Sequence, residues 1–291
     1  MTEVARSIAH RFPGVSTLEG AGVRLRRSFS NNEVPLFDPF LLLDRFGSSN
    51  PEDYMAGFPW HPHRGIETVT YVLEGEVEHG DTLGNAGVIG SGDVQWMNSG
   101  SGIIHQEMPK RTEGTMSGFQ LWVNLPAKEK MSVPAYRGLT KADFPEVFTD
   151  NGSRVRVVAG LYGGTEGPVK GIPVDPTYLD VTVPAGSSFQ FDAHPGYTAF
   201  AHAITGNVRF DGTDTEPVTA GETALFGTGG PVRATAVDSD SRFLLVSGRP
   251  LHEPVAWYGP IVMNTQAQLL DAVRQLRNGD FLQHKRPIVE E

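Results

Sequence analysis

Two short histidine-containing motifs are the residues best suited to chemistry in this sequence. The first is His61-Pro62-His63 and the second is His105-Gln106-Glu107. In an extended strand, side chains two residues apart point to the same face, so each motif can direct two ligand groups at one point. Imidazole nitrogen and carboxylate oxygen together suit a first-row metal ion. The motifs therefore predict a metal site that draws its ligands from two strands.

A second acidic residue leaves the ligand set open. Glu67 is separated from His61 and His63 by even numbers of residues, so in a continuous strand it would point to the same face. The residues alone thus give two sets, in which the three histidines are joined by either Glu107 or Glu67. Either set leaves open positions on a six-coordinate ion, and open positions are where a substrate binds and reacts.

The composition excludes several other kinds of site and partner. The 291 residues include no cysteine, which excludes a disulfide scaffold, a thiolate metal site and a cysteine nucleophile. Lys and Arg total 24 against 34 Asp and Glu, a formal net charge of −10, which disfavours direct binding to nucleic acid or to an anionic membrane. Apolar runs are far shorter than the roughly 20 residues of a membrane helix, and the first residues lack a secretory signal. We therefore expect a cytoplasmic protein.

Two other reaction classes lack their sequence context. The glycine-rich stretches at 90–92 and 227–230 do not lie between a strand and a long helix, as a nucleotide-binding loop would. The sequence also lacks the Gly-x-Ser-x-Gly motif of a nucleophilic serine at a strand-to-helix turn. Neither a nucleotide site nor a hydrolase triad is favoured.

The elements that must position these motifs are mostly short strands. Alternating β-branched and aromatic residues, as in 66–73 and 119–123, are bounded by turn residues, and the chain contains 34 Gly and 21 Pro. One helix is predicted near the C-terminus. Thr265 and Gln268 form a capping-box pattern, an apolar stripe follows at helical spacing, and Gly279 can end the helix.

A weak internal repeat predicts two domains. Gly75 and Gly92 in the first half are matched in sequence context by Gly206 and Gly221 in the second half. We therefore expect two tandem β-domains, an N-terminal metal-binding domain at 1–135 and a C-terminal domain at 136–291.

The same repeat predicts that the second domain has lost the site. The first histidine motif corresponds there to Asp192 and His194, and the second motif corresponds to Ala234 and Ala236. Alanine offers no ligand atom, so one working metal centre is expected. Two further histidines receive structural explanations: His79 is expected at a solvated hairpin tip, and His202 is expected to be a core residue.

At these motifs the chain resembles the pirin family of the cupin superfamily. The stretches that carry the resemblance are 22–28, 38–44, 57–69, 92–97, 102–109, 120–125, 253–254 and 259–265. They include Gly57-Phe58-Pro59-Trp60-His61-Pro62-His63-Arg64-Gly65-Ile66-Glu67 and Gly102-Ile103-Ile104-His105-Gln106-Glu107-Met108-Pro109. Motifs of this length are far more specific than a single His-x-His pair.

The resemblance implies an all-β fold of two cupin jelly-roll barrels with a short C-terminal helix and a single metal ion in the N-terminal barrel. In pirin-like proteins the ligand positions are those of His61, His63, His105 and Glu107 here. The resemblance thus places Glu67 behind the ligands rather than among them. It also favours Fe(II) as the metal, although Mn, Ni, Co, Cu or Zn would suit the same ligands.

Two functions follow from the resemblance. The first is a flavonol (quercetin-type) 2,3-dioxygenase, in which the substrate chelates the ion, Glu107 takes the hydroxyl proton as general base, and Phe58, Trp60 and Trp122 sandwich the flat rings. The second is a non-catalytic iron-binding regulator that binds a protein partner, either in transcription or on a metabolic enzyme. The same ligand set would also serve a cupin isomerase or a sugar-binding module.

Overall fold

Strands are the main secondary structure of the computed structural model, which describes residues 4–211 and 216–284. The strands are β1 (Ile8–Phe12), β2 (Val15–Glu19), β3 (Val23–Phe29), β4 (Phe40–Ser48), β5 (Phe58–His63), β6 (Ile66–Glu74), β7 (Val77–Asp81), β8 (Ala86–Ile89), β9 (Val94–Asn98), β10 (Ile103–Pro109), β11 (Met116–Asn124), β12 (Ala135–Leu139), β13 (Glu146–Phe148), β14 (Arg154–Ala159), β15 (Leu161–Tyr162), β16 (Thr165–Glu166), β17 (Thr177–Val183), β18 (Ser188–Phe191), β19 (Thr198–Thr205), β20 (Asn207–Phe210), β21 (Val218–Thr219), β22 (Thr223–Phe226), β23 (Val232–Ala236), β24 (Ser241–Gly248), β25 (Ala256–Tyr258) and β26 (Ile261–Met263). The α-helices are α1 (Val34–Phe37) and α2 (Gln266–Asn278).

The chain forms two compact units. The unit that holds the histidine motifs, here called the site unit, lies within Val15–Val34, Phe40–Lys141 and His252–Glu291. The second unit lies within Met1–Gly14, Pro35–Pro39 and Ala142–Leu251. The predicted division at 135/136 treats each domain as one continuous stretch, whereas each unit is built from three separate stretches of the chain. The cause is long-range pairing, since β1 joins the second unit through β22, and the C-terminal segment packs in the site unit.

Two sheets of the site unit face each other. The large sheet has seven strands in the order β12-β9-β6-β11-β4-β3-β2, and the small sheet has four strands in the order β5-β10-β7-β8. Their facing side chains form one apolar cluster, in which Leu25, Phe46 and Val72 of the large sheet meet Val77 and Ile89 of the small sheet. The facing sides of both sheets are thus buried.

The second unit repeats this plan. A seven-stranded sheet, β1-β22-β19-β24-β17-β14-β13, faces a four-stranded sheet, β18-β23-β20-β21. Phenylalanines from both sheets fill the space between them, among them Phe189, Phe210 and Phe243. The prediction of an all-β chain with two similar domains is confirmed.

The predicted C-terminal helix is also confirmed. The Thr265 side chain accepts a hydrogen bond from the Gln268 backbone N–H, and the Gln268 side chain accepts from the Thr265 N–H, which completes the capping box. Gly279 ends α2 in the left-handed conformation, with φ of 84°. In the described residues, no helix has the length and apolarity needed to cross a membrane.

Candidate metal centre

Adjacent strands of the small sheet bring the three histidines of the two motifs together. β5 and β10 are antiparallel, and His61 lies directly opposite His105. The ring centroids are 4.4 Å apart for His61 and His105, 4.8 Å for His61 and His63, and 4.9 Å for His63 and His105. One nitrogen of each ring lies within 4.8 Å of those of the other two rings. Three imidazole nitrogens therefore converge as the alternation predicted.

The hydrogen bonding of these rings suits a metal ion. The Nδ1–H of His61 donates to the Pro59 carbonyl oxygen at 2.9 Å, which leaves Nε2 with its lone pair. His63 Nδ1 and His105 Nε2 are buried and have no hydrogen-bond partner among the described residues. Unpaired buried polar atoms are costly, and a cation between the rings would satisfy both. The residues present therefore fit a metal ion.

Burial also sets the charge of these rings. Desolvation is the main cause that lowers the pKa of His63 and His105 well below the ordinary value, and the neighbouring imidazoles add to the effect. Both rings are consequently neutral near pH 7. A neutral imidazole is the form that ligates a metal.

The carboxylate of Glu107 lies near this cluster but outside it. The pairing of β10 with β5 shifts register between His105 and Glu107, so that Glu107 lies opposite Phe58. Glu107 Oε1 accepts a hydrogen bond from the Thr70 hydroxyl at 2.6 Å. The same hydroxyl oxygen lies 2.7 Å from Gln120 Oε1, and its single proton can be donated to only one of these oxygens at a time. A neighbour on the large sheet thus orients the Glu107 carboxylate.

The structure does not bring Glu67 to the cluster. The tight Arg64-Gly65 connection separates β5 from β6, and the two strands belong to different sheets. The even spacing between His61 and Glu67 therefore does not place the two side chains on the same face. On β6, Glu67 is three residues from Thr70 and therefore points to the opposite face of the sheet. The Trp96 indole N–H donates to Glu67 Oε2 at 3.1 Å, and burial raises the pKa of Glu67 to about 7.

Two buried basic side chains, Lys130 and Arg64, fix the connection that follows His63. Lys130 Nζ donates to the carbonyl oxygens of Gly65 at 2.8 Å and of Val262 at 3.0 Å, and burial lowers the pKa of Lys130 to about 7. Arg64 donates to the Phe281 carbonyl oxygen at 2.6 Å, and its guanidinium lies over the Phe281 ring. These bonds tie the end of β5 to the C-terminal segment of the site unit.

Gly65 itself cannot carry a side chain. Its φ is +79°, and a Cβ at this position would lie 2.0 Å from the Val262 carbonyl oxygen. The close approach of the two backbones therefore depends on glycine.

A cavity of about 710 Å³ opens beside the cluster. Phe58 and Trp122 line it, and Trp122 meets the His63 ring edge-on at 5.3 Å. Trp257 also lines the cavity, 5.8 Å from Trp122 between ring centroids. Trp60, which was predicted to sandwich the substrate, is 54% exposed and is absent from the described lining residues.

Several lining residues were not predicted from the sequence. Thr70 belongs to no motif, and Trp257 is far from the histidines along the chain, so only the fold brings them to the cavity. Arg27, Asp44 and Gln120 lie in stretches that carry the family resemblance, which was the one available indication of a role.

Two further histidines, His79 and His202, were given structural explanations from the sequence. His202 is buried as predicted, with Nδ1 2.8 Å from the Thr223 hydroxyl. The prediction for His79 was wrong, since it is buried at 6% exposure and stacked on Tyr136, whose hydroxyl lies 2.8 Å from Nε2. His79 lies on β7, which is an inner strand of the small sheet rather than a hairpin tip. Burial lowers the pKa of His79.

The second unit carries no equivalent cluster within the described residues. Asp192 and His194 are exposed, whereas Ala234 and Ala236 are buried in the apolar core. At the two positions that correspond to the second histidine motif, this unit therefore has side chains of its apolar core.

Comparison with known proteins agrees with this arrangement. The family model "Pirin" matches residues 22–123, and the model "Pirin C-terminal cupin domain" matches residues 178–282. A pirin-like protein from Caulobacter vibrioides is 46% identical over 269 residues, which cover 92% of this chain and 96% of that protein. The chain belongs to the pirin family.

Other proteins similar to this chain carry names that refer to an activity. A "putative quercetin 2,3-dioxygenase" from Pseudomonas aeruginosa is 40% identical over 278 residues, which cover 94% of this chain and 97% of that protein. A solved structure of quercetin 2,3-dioxygenase from Acinetobacter baumannii has a TM-score of 0.88 and 31% identity, and the match covers 96% of this chain and 99% of that one. The fold of this pirin-family chain is therefore two tandem cupin domains with one helix near the C-terminus.

Proposed function

We propose that this protein is a metal-dependent dioxygenase that opens the ring of a quercetin-type flavonol with O₂. The observation that carries the proposal is the convergence of three imidazoles, with a carboxylate nearby, on one side of a cavity with aromatic walls. The names of the Pseudomonas and Acinetobacter relatives support the same substrate class.

The resemblance to the pirin family favours Fe(II) as the native ion, and the same donor atoms would accept Mn, Ni, Co, Cu or Zn. His61, His63 and His105 would hold it. Bound there, the ion would acidify a chelating hydroxyl group and support the reaction of the electron-rich substrate with O₂. As a fourth ligand, Glu107 would have to approach the imidazoles more closely than it does here.

The protein's own groups would orient the substrate and move its proton. Glu107 would accept the proton of the flavonol 3-hydroxyl as general base, through the carboxylate oxygen that Thr70 does not hold. Phe58 and Trp122 would lie against the flat rings and exclude water from the reacting end.

Oxygen uptake tests this proposal. Iron-loaded protein should consume O₂ and quercetin in a one-to-one ratio, and anaerobic protein should leave quercetin intact. His61→Ala should abolish turnover together with metal binding, whereas Glu107→Gln should abolish turnover and retain the metal. His194→Ala is the matched control, since this exposed histidine of the second unit should be replaceable without effect.

The proposal is contradicted if fully iron-loaded protein consumes no O₂ with quercetin or related polyphenols. That result would favour the second function, a regulator that binds a protein partner, and a metal-dependent pull-down of one dominant partner would then support it.

A further inference from the structure

A row of polar side chains crosses the cavity face of the large sheet. The strand registers place Thr70 of β6 opposite Gln120 of β11, Gln120 opposite Asp44 of β4, and Asp44 opposite Arg27 of β3. All four residues line the cavity. Neighbouring strands lie about 4.8 Å apart, so this row of four extends about 14 Å. It begins at Thr70, which holds the Glu107 carboxylate, and leads away from the histidines.

The polar row runs between apolar ones. Leu42 and Trp122 are paired on one side of it, and Leu25 and Phe46 are paired on the other. All four of these residues also line the cavity. A flat aromatic molecule lying over this floor would have apolar contacts along both edges and hydrogen-bonding groups only along its middle.

The far end of the row is rich in hydrogen-bond acceptors. Asp44 accepts two hydrogen bonds from Arg27, at 2.8 Å and 2.7 Å, and Arg27 also donates to Glu19 at 2.8 Å. The Arg27 charge is thus matched by two carboxylates, which retain lone pairs for further donors. At this end the described lining residues include one arginine and no lysine, against the two carboxylates of Glu19 and Asp44. This end of the cavity therefore favours a ligand that donates hydrogen bonds and disfavours an anion.

We propose that Asp44, held by Arg27, and its cross-strand neighbour Gln120 orient the substrate by accepting a hydrogen bond from a ring hydroxyl remote from the chelated end. This selects planar polyphenols that carry such a hydroxyl over aromatics of the same shape without one. The inference rests on the proposed function for the chelated end, and it adds the groups that determine specificity at the other end.

Calorimetric binding to Zn²⁺-loaded protein tests the inference without turnover, because zinc has no redox chemistry. The two probes are quercetin and 3-hydroxyflavone, which share the chelating group and differ in ring hydroxyls. A hydrogen bond to a charged acceptor predicts that quercetin binds about tenfold more tightly or better. Asp44→Asn should reduce this preference to about twofold and leave the affinity for 3-hydroxyflavone unchanged.

A matched control removes the same kind of ion pair elsewhere. Asp180 of the second unit is buried and accepts two hydrogen bonds from Arg242, at 2.8 Å and 2.6 Å. Asp180→Asn therefore weakens a similar buried ion pair at a residue that does not line the cavity. Asp180→Asn should retain the full quercetin preference. Gln120→Leu provides a second cavity variant if Asp44→Asn does not fold, and it should weaken the preference in the same direction.

Equal affinity of the wild-type protein for both probes, or an equal loss of affinity for both in Asp44→Asn, would overturn the inference. Its failure is separate from that of the proposed function. A quercetin preference without oxygen uptake contradicts only the reaction, whereas oxygen uptake without a preference contradicts only this assignment.

Discussion

Replacing Thr70 by Val tests whether the Glu107 carboxylate must be held by the large sheet. Valine keeps the shape of this buried side chain and removes the hydroxyl that donates to Glu107 Oε1 at 2.6 Å. A hydrogen bond to a charged group contributes about 1.5–3 kcal/mol. If all of this free energy stabilises the transition state of proton transfer, kcat should fall roughly 10- to 150-fold in the variant. KM and metal content should change little, because the histidines and the aromatic walls are untouched.

The chain offers a close control for this variant. Thr68 lies two residues earlier on the same face of β6, is fully buried, and has a hydroxyl with no hydrogen-bond partner among the described residues. Thr68→Val should therefore leave kcat within about twofold and should not reduce stability. Steady-state oxygen uptake with quercetin measures both variants. A Thr70→Val enzyme with wild-type kcat, or equal losses in the two variants, would refute the reasoning.

Three further predictions concern Glu67, Gly65 and the two tryptophans Trp60 and Trp122. Burial raises the pKa of Glu67 to about 7, so the folded protein holds a proton that the unfolded chain releases between about pH 4.5 and 7, and stability falls as pH rises through this range. In urea unfolding, Glu67→Gln should lack this fall and be more stable at pH 8 by up to about 3 kcal/mol, with unchanged metal content. Gly65→Ala should lower the free energy of unfolding by at least about 2 kcal/mol, whereas Gly171→Ala, with similar φ and open space, should lose less. In the oxygen-uptake assay, Trp60→Ala should keep turnover within about twofold of wild type because Trp60 is exposed, whereas Trp122→Leu should raise KM for quercetin about tenfold by removing a cavity wall.

Two of the features predicted correctly from the sequence are encoded largely by the spacing of a few residues. The two-residue spacing of His61 and His63 directs both rings to one side of a strand, and the pairing with His105 completes the cluster. The capping box at Thr265 likewise involves groups three residues apart. The spacing within each motif is local, whereas the approach of His61 to His105 also requires the pairing of β5 with β10.

The features that the sequence did not reveal depend on pairings between distant strands. The spacing of Glu67 suggested a ligand, but the turn at Arg64-Gly65 changes sheet and turns that side chain to the other face. His79 is buried because β7 is an inner strand, which hydrophobic alternation cannot show. The row from Thr70 to Arg27 arises from three strand registers, and no short motif records it.

Metal content per chain tests the central claim most directly. Elemental analysis of protein saturated with Fe(II) under anaerobic conditions should find one ion per chain. The same measurement on His105→Ala should find a loss of most of that ion, and His202→Ala, which removes a buried histidine of the second unit, should retain it. A stoichiometry that His105→Ala does not change would contradict the assignment of the three imidazoles as the metal centre.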